Sequence, residues 1–367
     1  MKAYSLGIIC LLPVALQAQS VPVRHVIVYK EAGRFGGWPA NHGAWAWGNE
    51  LLVGFEAGYF HRNEQGHAID YTKPAEHVLA RSLDGGRTWK IERPETLRVP
   101  PGVKQANVPA VAGVHTAVPF TGSINFTHPD FAMTWRMANI HTGPSRFYYS
   151  YDRGKTWQGP YEAPSFGTKG IAARTDYLVN GPRDCTVFLT AAKQNGKEGR
   201  VLCARTRDGG RTWKFLSYVC PEPEDYAIMP SSVRLGPRTI LTTLRRRLWI
   251  EAWRSEDDGL SWTFVTRPVE STGGGNPPSL VRLRDGRLVL TYGYRSEPYG
   301  IRARISHDNG NTWGSDLTLR QDGGAWDLGY TRTLARPDGK LVTVYYYNDN
   351  KDKERYIAAT IWEPPAK

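Results

Sequence analysis

Cysteine is scarce in this sequence, at 4 residues of 367, and methionine is as rare. Cys10 falls in the first twenty residues, and Cys185, Cys203 and Cys220 lack metal-ligand spacing. Cys185 and Cys203 are either partners across a hairpin or, like Cys220, buried free thiols. Beyond the N-terminus no run reaches the roughly 18 apolar residues that a membrane helix needs. Helix-period stretches are nearly missing as well. A phosphate-cradling glycine loop, a dinucleotide fingerprint and a histidine or thiol metal pattern are all absent. Neither a cofactor nor a metal is expected.

The chain is rich in aromatics and turn formers instead, with 13 Trp, 19 Tyr, 38 Gly and 25 Pro. That mixture suits many short strands joined by tight turns. The formal net charge is +12, with basic residues scattered and only Arg245-Arg246-Arg247 forming a tight run. An anionic partner follows, and an acidic glycan fits it better than nucleic acid. Residues 1–18 read as an export signal: Lys2 gives a positive start, Leu6 to Leu16 is apolar, and Ala18 is a small residue at a cleavage point. Residues 19–367 would then form one domain, secreted or periplasmic.

An internal repeat carries most of the information. The pattern Ser/Thr-x-Asp-x-Gly-x-Thr/Ser-Trp occurs five times, with its Asp at Asp84, Asp152, Asp208, Asp257 and Asp308. Asp and hydroxyl side chains bond nearby backbone N–H groups, Gly accepts positive φ, and Trp covers the turn. A strand-like stretch precedes each copy and another follows, which sets the repeat at a hairpin. The Asp residues are 68, 56, 49 and 51 positions apart, and about 50 residues suit one four-stranded propeller blade. Five copies give five blades. Strand-like Leu341–Tyr345 and Tyr356–Ile361, joined by early His25–Tyr29, supply a sixth. The expected fold is an all-β, six-bladed β-propeller whose repeats are structural turns.

Repeated Asp boxes on a propeller of this size resemble the sialidase (neuraminidase) superfamily, over nearly all of the mature chain. The resemblance implies hydrolytic removal of a terminal acidic sugar with retention of configuration. Arg34, before Trp38-Pro39, resembles the carboxylate-binding arginine of the family's Arg-x-Pro motif. Asp70, twelve residues before Ser82, sits where the family has its acid/base aspartate. Arg245 matches the second arginine, after Ile240-Leu-Thr-Thr-Leu. Arg302 stands for the third, with Arg295 as a rival, and strand alternation puts Arg304 on the same face as Arg302. Tyr330, before the Asp338-Gly339 turn, resembles the nucleophilic tyrosine, the sialidase exception among glycosidases.

The chain departs from that pattern at Met229, where the family has the glutamate that activates its tyrosine. A thioether cannot accept a phenol proton; Glu224, Asp225 and Asp176 are the nearby substitutes. His42, His115, His128 and His141 lie in expected loops, with His42 a candidate for substrate binding. A histidine and a tyrosine could also serve a lyase acting beside a uronate carboxyl. A related glycosidase or lyase on another acidic glycan, and a glycan-binding propeller without catalysis, therefore stand beside the sialidase reading.

Overall fold

The computed structural model describes residues 19–98, 116–351 and 353–366. The leader-like stretch, Cys10 and His115 lie outside the described residues. Within them the structure is all-β; its helical pieces are two three-residue 3-10 turns, Pro39–Asn41 and Glu95–Leu97. Six separate sheets form the six blades of a β-propeller.

Blade 1 is built from Arg34–Gly37, Ala44–Trp47, Glu50–Tyr59, Glu76–Ser82 and Lys90–Glu92. Blade 2 has three strands, Ala132–Met137, Ser145–Ser150 and Gln158–Glu162, and blade 3 runs from Ile171 to Tyr218. Blade 4 comprises Ile228–Arg234, Ile240–Arg245, Ile250–Ser255 and Thr263–Val269. Blade 5 spans Ser279 to Arg320, with Gln19–Ser20 added in parallel to its outer strand. In blade 6, Gly329–Ala335, Leu341–Tyr347 and Tyr356–Trp362 are completed by Val23–Tyr29, antiparallel to Tyr356–Trp362. The ring thus closes by pairing an early strand with the last one, which covers a long apolar edge.

Each Asp box joins the outermost antiparallel pair of strands of its blade. In the first, Gly86 N–H donates to Ser82 Oγ at 2.8 Å and Thr88 N–H to Asp84 Oδ1 at 2.9 Å. Thr88 Oγ1 donates to Asp84 Oδ2 at 2.7 Å, and Trp89 Nε1 to the Gly86 carbonyl at 3.0 Å. Burial opposes ionisation of Asp84, but these donors prevail and hold its carboxyl down to about 2. The box glycine also docks the blade on its predecessor. A Cβ on Gly154 would stand 2.5 Å from Leu52 of blade 1, and one on Gly310 2.6 Å from Leu241 of blade 4.

Innermost strands need partners for their edge N–H groups. Neighbouring hydroxyls supply them: Leu280 N–H donates to Ser231 Oγ at 2.8 Å, and Thr333 N–H to Ser279 Oγ at 2.9 Å. Cys185, Cys203 and Cys220 are buried free thiols. Cys185 pairs with Thr206, and Cys203 with Phe188, so the register keeps the two thiols from facing one another.

Candidate active site

At the entry to the inner strands, three non-glycine residues adopt left-handed backbone: Trp38 (φ 56°), Met229 (φ 52°) and Tyr330 (φ 51°). Met229 and Tyr330 each lie where the strand register shifts, between Ile228 and Ser231 and between Gly329 and Arg332. Such bulges re-aim side chains at sheet ends. Asn276 fixes the result. It is fully buried; its Oδ1 accepts Tyr330 N–H at 2.9 Å and Gly293 N–H at 3.2 Å, while its Nδ2 donates to the Leu328 carbonyl.

Here a cavity of about 440 Å3 opens, lined by Trp38, Glu56, His67, Tyr71, Tyr226 and Tyr330, with Arg174, Glu198 and Arg245 among the other walls. Arg245 Nη1 donates to Tyr330 Oη at 2.8 Å and lies 3.5 Å from Met229 Sδ. Among the described residues Arg245 has no carboxylate at ion-pair distance, although it is half-buried, and its buried Nε has no partner. Arg174 differs: its Nη1 is 2.6 Å from Glu198 Oε1 and its Nε donates to Asn41. Glu56 is buried, and burial pushes its carboxyl up to about 8 despite the Arg136 charge.

A second polar group meets the cavity from blade 6 and the loop after Tyr59. His67 Nδ1 is 2.6 Å from Asp327 Oδ1. Asp327 is fully buried and also accepts from Ala68 N–H, Tyr346 Oη and Arg355 Nε. Burial opposes its charge, yet His67, Arg355 and Arg295 hold its carboxyl well below the usual range. The His67 ring packs against Trp38 at 5.1 Å and edge-on to Tyr330 at 6.3 Å.

Several sequence-based expectations are corrected by this geometry. Arg34 begins the first strand of blade 1, stacks on Tyr59 at 4.2 Å and faces Glu76 rather than the cavity. The residue two before Pro39 is Gly37, where a Cβ would strike the Phe35 ring at 2.3 Å. Asp70 does not line the cavity; its Oδ1 accepts from Thr72 N–H and Oγ1, and those bonds with nearby Lys73 hold its carboxyl below the ordinary range. A proton donor needs the opposite shift. Arg302 turns away onto Asp316 at 2.9 Å, together with Arg304. Arg295, just past its strand, is the arginine that reaches the Tyr330 loop. There it donates to the Leu328 and Gly275 carbonyls and to Tyr346 Oη.

Glu224 and Asp225 are exposed, and their carbonyls accept from Lys193 Nζ. It is Tyr226, the next residue, that enters the cavity. Asp176 is buried on Ser232, at 2.7 Å from its hydroxyl, and does not reach the cavity lining. His42 is buried outside the cavity lining, edge-on to His77 at 4.7 Å. His42, Glu56 and His77 hold ligand-type atoms within 4.8 Å of one another. This is zinc-type donor chemistry, but the buried Arg136 guanidinium already faces all three, and a dication would have to sit against it.

Residues missed from sequence are Glu56, His67, Arg174, Glu198, Asn276 and Asp327. Asn276 follows a Gly273-Gly274-Gly275 run, and Asp327 stands three residues before Tyr330; both were visible signals. The pairing of His67 with Asp327 spans 260 positions and left none.

Fold and site define a sialidase-like propeller of the Asp-box superfamily. Residues 126–343 match the model of the BNR repeat-like domain, more than half of the chain, so it belongs to that family. A protein of unknown function from Dyadobacter fermentans is similar at 23% identity, covering 94% of this chain and 99% of its own, with a TM-score of 0.68. The NanB sialidase of Streptococcus pneumoniae follows at 10% identity, 92% and 70% coverage and TM-score 0.62. An α-L-arabinanase of Penicillium chrysogenum, solved with arabinobiose, gives 12%, 95% and 98%, and 0.56. Identities this low establish the fold alone. A search of curated proteins finds no match.

Proposed function

We propose that this chain is an exported glycoside hydrolase that removes a terminal acidic sugar. The observation carrying this reading is the Tyr330–Arg245 contact at 2.8 Å inside the cavity, with Arg245 unpaired by any described carboxylate. A half-buried guanidinium that lines a cavity and has no counter-ion is open to an anionic substrate, which supplies one. Tyr330 serves as nucleophile. Arg245 faces the phenol oxygen and so stabilises charge developing there. Glu56 remains neutral to about pH 8 and is the proton donor for the leaving oxygen. Trp38, Tyr71 and Tyr226 offer flat faces to the sugar ring.

Sialic acid is the leading candidate substrate by resemblance to the superfamily, but the three-arginine arrangement is not assembled here: Arg34 and Arg302 are engaged elsewhere. The substrate class is therefore set by one strongly placed arginine. The test is release of fluorophore from a panel of α-sialosides, uronides and arabinosides by the native enzyme and Tyr330→Phe. Turnover of an acidic glycoside that falls at least 10³-fold in the variant is the expected result. Equal turnover of neutral and acidic sugars, or an active variant, overturns it.

The His67–Asp327 pair gives a second reading some weight, because a histidine base beside a tyrosine can eliminate across a uronide bond. An unsaturated, ultraviolet-absorbing product would decide for the lyase.

A further inference from the structure

We infer that His67, held by Asp327, is the base that activates Tyr330 in place of the glutamate that Met229 displaces. The inference rests on the hydrolase reading above and assigns a catalytic residue which that reading leaves open.

The first support is position. Met229 offers the phenol only a sulfur, 3.5 Å from the same Arg245 nitrogen that Tyr330 engages. His67 lines the same cavity, and its ring stands nearly perpendicular to the Tyr330 ring with the centroids 6.3 Å apart. The second support is the tautomer. Asp327 is anionic and fully buried, so the imidazole nitrogen facing it at 2.6 Å carries the proton. That leaves Nε2 as an acceptor, in a ring that lines the cavity and is one-quarter exposed at 27%. Third, the carboxylate is itself fixed. Tyr346, Arg355 and Ala68 N–H all donate to Asp327, and Arg295 donates to Tyr346. The orienting group of a catalytic histidine is held in just this way.

The proton account closes. In the first step Tyr330 Oη, bonded in the structure to Arg245, attacks the anomeric carbon and its proton passes through one water to His67 Nε2, forming an imidazolium beside Asp327. The glycosidic C–O bond breaks, and Glu56 protonates the departing oxygen. In the second step water attacks the anomeric carbon and gives its proton to the Glu56 carboxylate. The bond to Tyr330 breaks, and the phenol regains its proton from His67. One water is consumed, and each side chain ends as it began.

The experiment uses His67→Gln, since His67 is the partly exposed member and Asp327 carries the fold. A fluorinated acidic glycoside should trap Tyr330 covalently in the native enzyme, read by mass of the tryptic peptide. His67→Gln should slow trapping and turnover by roughly 10²–10⁴-fold with an unchanged melting temperature. Trapping at the native rate overturns the assignment. Side-chain 15N spectra decide independently of substrate: a protonated Nδ1 with a bare Nε2 supports it, and an Nε2–H tautomer refutes it. Failure of the native enzyme on every glycoside would sink the hydrolase reading, and the spectra would still judge the dyad.

Discussion

Glu56 shows how a single burial shapes both chemistry and stability. Its carboxyl ionises near 4.5 in an unfolded chain but only at about 8 in the fold, because burial outweighs the Arg136 charge. Between those values the unfolded state has released a proton that the folded state keeps. Stability from this group is therefore greatest below pH 4.5, declines as pH rises to about 8, and is level beyond. Glu56→Gln removes the titration. Its unfolding free energy from urea titration should lose that decline and exceed the native one at pH 8.5, by an amount on the order of a few kcal/mol. The same variant should lose turnover of substrates with poor leaving groups, while activated aryl glycosides are spared. A fall of both classes alike would remove Glu56 from the proton-donor role.

The Asp box explains how one blade locates the next. Its hydroxyl, carboxylate and indole satisfy the turn internally, and its glycine is left free to touch the preceding blade. Gly154 has φ +79° and lies against Leu52, so Gly154→Ala combines backbone strain with a 2.5 Å contact. A loss of about 1–3 kcal/mol is expected, read as a lowered melting temperature. An unchanged melt would show that the blades do not register through the box. At the opposite end, the inner strands of blades 4 and 6 bear their bulges, where Tyr330 lines the cavity and Met229 lies against Arg245. The boxes were readable because each is local, spanning eight residues of sequence. The bulges were not, because a register shift exists only between two strands.

Closure of the ring belongs to the whole molecule. Val23–Tyr29 covers Tyr356–Trp362, a strand buried along its entire length. Deleting residues 19–29 should expose that edge, broaden the thermal transition, lower its midpoint and promote aggregation. Light scattering during a melt would show this; a deletion variant melting like the native chain would mean that blade 6 is stable without its outer strand. The cavity has the same global character. Its walls come from blade 1 (Trp38, Glu56), blade 3 (Glu198), blade 4 (Arg245) and blade 6 (Tyr330), so most of the ring must close before the site exists.

By itself the sequence determined what depends on short stretches: the box turns, the number of repeats, the strand-rich composition, and the choice of Tyr330 and Arg245, which the structure places in one cavity. It placed other segments well and their side chains poorly. The loop of Asp70 does supply the cavity, but through His67 and Tyr71; the stretch holding Asp225 supplies Tyr226. A one-residue change of facing reverses a side chain's destination, and strand periodicity cannot fix facing within a loop. Only the tertiary structure decided which charges are paired. Arg302 found Asp316, Arg295 found backbone carbonyls, and Arg245 was left facing Tyr330. Those choices are made across blades far apart in the chain, where distance in space and the cost of burying an unpaired charge take over from local pattern.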